Sequence, residues 1–201
     1  MGEEKEGYFV DIRKELFFDA FLVFSQNPLG VGPEGFMVVQ ERAGRNAQPT
    51  HNLYTQILAE TGIQGAFCFT MLVGTVLRSS VRARRRFTEI IQVLRAHAQK
   101  AGQDLTEPIS TEVQNANLFL ATTDALMIFI IVRLVLGVFG HDLLEIYWWI
   151  AAGLAMALNN LLAIAARRCA EITGTDVLGG LPSRGRRRAS PVGATASPLG
   201  R

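Results

Sequence analysis

The chain has 201 residues, 49% of them hydrophobic, with a mean hydropathy of +0.21, more apolar than an ordinary soluble domain of this length requires. Twenty Lys and Arg against 18 Asp and Glu leave a net charge of +2, which argues against a nucleic-acid binder. Cys68 lies inside one apolar run and Cys169 just past another, so a disulfide framework is not expected.

The start, MGEEKEGYFVDIRKEL, has no basic stretch followed by an apolar one, so it does not read as a secretory signal peptide. Because the segment behind it reads as outward-facing, further residues are expected upstream of Met1. Tyr8 to Phe24 is apolar enough for an amphipathic helix with Arg13 near its beginning. Then comes NPLGVGPEGF, residues 27–36, where Gly30, Gly32 and Gly35 match the spacing of a dinucleotide-binding loop. No buried strand precedes it, so the match is read as accidental. Its prolines and glycines describe a tight loop with exposed backbone. After a stretch carrying Arg42 and Arg45 follows QPTHNLYTQILAETGIQG, residues 48–65, in which Thr50 or Asn52 can cap a helix.

Three windows can cross a bilayer core, which takes ~20 apolar helical residues. They run from about Gln56 to Leu77, Ala116 to Phe139, and 143 to Ala166. In the first, Asn52, Gln56, Glu60 and Gln64 are spaced four apart, a polar stripe that must face protein or water. In the second, Asp124 and Arg133 are nine residues apart and fall on opposite helix faces, so each needs a partner on another helix. The third is entered through Tyr147, Trp148 and Trp149, an interfacial belt. His141, in the turn before it, is placed at the same interface.

Residues 78–115 hold seven basic residues, including Arg82, Arg84, Arg85 and Arg86, while the turn GHDLLE holds none. Arg167, Arg168 and Arg186 to Arg188 follow the third window. Every basic cluster thus falls on one side of the membrane, which makes that side cytoplasmic. The arginine run is read as a topology determinant in preference to a lipid or nucleic-acid site. Phe87, Ile90, Ile91 and Leu94 share one face of a helix that is expected to lie along the membrane surface. The expected organisation is an all-α, multi-pass bundle of three spans: an outer helix-loop segment over 1–52, a membrane domain over 53–166, and a disordered cytoplasmic tail over 167–201.

An Arg-bearing helix, the P-L-G-V-G-P-x-x-F loop, H-N-L-Y at 51–54 and E-T-G-I-x-G at 60–65 resemble, in this order, the membrane-embedded O-antigen ligase and O-antigen polymerase superfamily. The resemblance covers residues ~10–165. It implies transfer of glycan from an undecaprenyl-diphosphate carrier to an acceptor hydroxyl on a glycan or lipid, at the outer face of a bacterial cytoplasmic membrane. His51 matches the family's essential histidine and Arg13 its loop arginine. The family has about ten to twelve spans and uses a further arginine from an earlier loop, which this chain lacks. Additional transmembrane helices, from a missing N-terminal half or another subunit, are therefore expected as partners.

These residue types suit that chemistry. A guanidinium is permanently charged and bidentate to phosphate oxygens, and an imidazole near a helix N-terminus stays neutral and accepts a proton. His51 and Arg13 are the expected catalytic residues. Arg42, Arg45, Asn52, Glu60 and Arg133 are candidates for substrate contact. No D-x-D pair or His/Cys cluster occurs in the outer segment, so metal-independent transfer without a cofactor is expected. A lone histidine at a membrane surface is otherwise an ordinary interfacial residue. Two rivals belong to other classes: a non-catalytic membrane subunit, and a transporter fragment with Asp124 and Arg133 along its path.

Overall fold

The computed structural model describes residues 3–45, 47–102, 107–140, 145–177 and 179, with side chains from Arg13 onward. His141, residue 178 and residues 180–201 lie outside these, and so does most of the expected tail. Among the described residues every regular element is helical, without strands: α1 Glu3–Gln26, α2 Gly35–Arg42, α3 Leu53–Gln56, a π-turn Ile57–Thr61, α4 Gly62–Lys100, α5 Glu107–Leu136 and α6 Tyr147–Thr173. Three of the helical stretches are long and apolar enough to cross a membrane, Leu53–Lys100, Glu107–Leu136 and Tyr147–Thr173. The chain is thus an all-α membrane protein.

α1 stops before Pro28, because the residue preceding a proline is pushed out of the helical region. Leu16, Ala20 and Val23, spaced four and three apart on one face, bury against Phe36 of α2 and Ala59 of the π-turn. The other face leaves Phe17, Phe18, Phe21 and Leu22 exposed. α2, within a stretch expected to be loop, is anchored by the fully buried Phe36 and by Gln40, whose side-chain oxygen accepts from the Gln48 amide at 3.0 Å.

The first span differs from its expected bounds. Its helical stretch starts at Leu53 and passes through the π-turn Ile57–Thr61, and α4 then continues from Gly62 past Leu77 to Lys100. Its 39 residues extend ~58 Å at ~1.5 Å per residue, nearly twice a ~30 Å hydrocarbon core. The extension is not a surface helix. Phe87, Ile90, Ile91 and Leu94 bury against Ile109, Val113 and Ala116 of α5 and Leu162, Ala166 and Cys169 of α6. The apolar face expected to meet lipid headgroups is therefore the core of a three-helix extension.

Nearer the other end, Leu53, Ile57, Leu126, Ile130, Trp148, Ala151 and Leu158 form a second core. Phe69 meets Trp148 edge-on, with centroids 4.9 Å apart. Of the three expected belt residues only Trp148 is buried, while Tyr147 and Trp149 face outward. α6 runs past Ala166 to Thr173, where Gly174 at φ 72° ends it. Arg167 to Thr173, placed in the tail by sequence, are helical, and Arg168 bonds Glu112 of α5 at 2.6 Å.

The two charges of the second span find partners inside the chain. Arg84 of α4 holds Asp124 at 2.7 Å, and the Arg133 guanidinium lies 4.2 Å from the centre of the Tyr147 ring on α6. Each charge thus has a partner within these three helices.

Candidate functional site

The glycine loop and the start of the first span are one structure. The Val31 amide donates to the Ala59 carbonyl at 3.0 Å, Gly32 to Glu60 at 2.9 Å, and Ile63 back to Pro28 at 3.0 Å. Gly30 (φ 86°) and Gly62 (φ 67°) stand where the two backbones touch. A Cβ on Gly30 would collide with the Glu60 carbonyl, and one on Gly62 with the Pro28 carbonyl. Both motifs, P-L-G-V-G-P and E-T-G-I-x-G, are thereby explained as the halves of a backbone clasp.

The π-turn supplies the carbonyls for this clasp. Its wider winding frees acceptors that an α-helix would use internally, and such turns occur frequently at functional sites. At the middle of the expected polar stripe, Gln56 and Glu60 are both buried within the chain. Asn52 caps α3, Gln56 donates to the buried Glu60 carboxylate at 3.2 Å, and Gln64 reaches the Leu29 carbonyl at 3.4 Å.

His51 immediately precedes the capping residue and adopts φ 50°, a left-handed conformation in which histidine is among the enriched non-glycine residues. Its neighbours fix it there. The Asn52 side-chain oxygen accepts from the amides of Tyr54 (2.9 Å) and Thr55 (3.2 Å), while its nitrogen donates to Val138 at 3.1 Å. Leu53 N–H bonds the Gly137 carbonyl at 2.7 Å, and the Tyr54 hydroxyl bonds the Leu134 carbonyl at 2.7 Å. The H-N-L-Y motif is thus stitched to the last turn of α5 and the residues just beyond it. His51 is half-buried, next to a helix N-terminus.

Two grooves flank this segment. One is apolar, lined by Tyr54, Ile57, Leu58, Phe69 and Val73 of the first span and by Leu134 of α5. The second lies along the clasp and is lined by residues 29–33, Glu60, Thr61, Gln64, Gly65 and Cys68.

The arginines are dispersed. Arg13 is exposed on α1 beside Lys14, Phe17 and Phe18, and among the described residues no hydrogen bond or ion pair joins it to His51. Arg42 ends α2 and is exposed. Arg45 forms an ion pair with Asp19 of α1, whose hydrogen bond and charge raise the guanidinium pKa further. Arg133 is held against Tyr147. Sequence reasoning missed Tyr54 as a tether, Gln56 as the partner of Glu60, and Asp19 as the partner of Arg45. The spacing of four from Gln56 to Glu60 was the one signal for any of these pairings.

Comparison with protein-family models, characterised proteins and solved structures finds no match to this chain.

Proposed function

We propose that the chain forms part of a membrane glycosyltransferase of the O-antigen ligase or polymerase type, moving glycan from undecaprenyl diphosphate to an acceptor hydroxyl in surface-polysaccharide synthesis. The observation that carries this reading is the placement of His51. The imidazole sits in a left-handed turn at a helix N-terminus tied to the end of α5, a position where strained backbone accompanies function. The apolar groove beginning at Tyr54 suits a polyprenyl tail.

In this mechanism the acceptor oxygen attacks the anomeric carbon and the bond from that carbon to the diphosphate oxygen breaks. His51 takes the hydroxyl proton, and the electron pair leaves with the diphosphate. Arg13 and Arg42, exposed and without an acidic partner among the described residues, are available to neutralise the leaving group. Arg45 is engaged by Asp19 and is the weaker candidate. Glu60 and Asn52 serve the site through the clasp and the helix cap, and Arg133 by bracing α5 against α6. The exposed phenylalanines of α1 suit packing against further transmembrane helices that complete the site.

This reading sets the chain in a bacterial cytoplasmic membrane, with residues 1–52 outside and the arginine-rich end inside. Transport along Asp124 and Arg133 has less support, since Arg84 engages the first and Tyr147 the second. In cells carrying the complete system, His51→Ala should lower glycan transfer by about 100-fold or more, read as product on a gel. Unchanged transfer would refute the assignment.

A further inference from the structure

The arginines of α4 fall into two groups. Arg84 points to Asp124 of α5, and Arg86 bonds both Glu89 and the Val177 carbonyl at 2.8 Å. Both are satisfied within the chain. Arg78, Arg82 and Arg85, spaced four and three apart, lie on one face and are exposed. Among the described residues none of these three has an acidic partner. With Val81, Arg86 and Glu89 they line a single shallow groove, which carries four guanidinium groups against one carboxylate.

The position of this groove along α4 bears on what can reach it. α4 is unbroken from Gly62 to Lys100, and a crossing that starts near Gln56 traverses a ~30 Å hydrocarbon core in about 20 residues, which ends it near Leu77. Arg78 lies at that edge, and Arg82 and Arg85 lie about one and two turns beyond it, at the depth of the headgroups. Exposed Val81 adds an apolar surface among the cations, facing the level where acyl chains begin. A nucleic acid or soluble acidic protein would have no reason to meet the stripe at this depth.

We propose that Arg78, Arg82 and Arg85 form a binding site for the headgroup of an anionic phospholipid in the leaflet at this end of the bundle. The phosphate meets guanidinium groups from successive turns, and an acyl chain runs along the Val81 side of α4. The stripe is thereby a lipid site in addition to a determinant of topology. It is independent of the chemistry at His51.

The full chain can be released by native mass spectrometry from nanodiscs containing phosphatidylcholine and phosphatidylglycerol in equal amounts. Preferential retention of phosphatidylglycerol is expected. Replacing the three arginines by glutamine should reduce that preference by at least about tenfold, while Arg95→Gln and Arg167→Gln leave it unchanged. Circular dichroism confirms that each variant retains its helix. Equal retention of both lipids by the wild type, or the same preference in the triple variant, would overturn the proposal. So would displacement of the bound lipid by millimolar glycerol phosphate, which would mark a site for soluble phosphate.

Discussion

The two ends of the first long helix are built on different principles. At Gly62, backbone meets backbone: amides and carbonyls of residues 28–32 bond those of 59–63, with no room for a Cβ at either glycine. At the arginine-rich end, side chains interlock instead, with Phe87, Ile90 and Leu94 filling the space between three helices. A contact made of side chains can adjust its rotamers when a residue changes, whereas a backbone clasp has no such freedom. The first device fixes a site geometrically, and the second builds the largest of the three apolar clusters.

Substitutions can break this contrast. The largest loss is expected for Phe87→Ala, which leaves a cavity at a fully buried position and should lower stability by ~3–5 kcal/mol. Thermal unfolding in detergent, followed by loss of the monodisperse species, measures it. Next comes Gly62→Ala, at roughly 2–4 kcal/mol, from one added carbon at a positive-φ position that already touches backbone. Leu94→Met sharpens the comparison, because a volume-conserving change at the side-chain end should cost less than ~1.5 kcal/mol. Were Gly62→Ala the milder of these two, the clasp would not be rigid. Asn52→Ala should cost ~1 kcal/mol by removing the cap of α3, and should also disturb the turn at His51. Smallest of all, Arg45→Gln removes a half-exposed pair with Asp19; its effect on the unfolding midpoint should shrink at high salt.

Much of the bundle was legible from sequence because its signals are local. Apolar windows near 20 residues marked three helices, and the spacing of Phe87, Ile90, Ile91 and Leu94 marked a buried face. What covers that face was not legible, since lipid headgroups and two neighbouring helices select the same apolar pattern. The end of α6 was misplaced because Arg167 and Arg168 read as the start of a tail, whereas Glu112 lies across from Arg168 only in the folded bundle. The partners of Asp124 and Arg133 were hidden for the same reason, one 40 residues upstream on α4 and the other an aromatic ring. At the candidate site, the H-N-L-Y and glycine motifs stood out by residue type. Their mechanical roles did not, because the break at Gly62 and the π-turn depend on contact with a loop some thirty residues earlier.

The account depends most on a single topological claim, that His51 and the Arg82 stripe occupy opposite faces of one membrane with His51 outside. In a Cys68→Ser, Cys169→Ser background, His51→Cys and Arg82→Cys can each be exposed in intact cells to a membrane-impermeant maleimide. Labelling at position 51 from outside, and at position 82 only after permeabilisation, is the predicted result. Labelling of both positions from outside, or of position 51 only from within, would contradict the account.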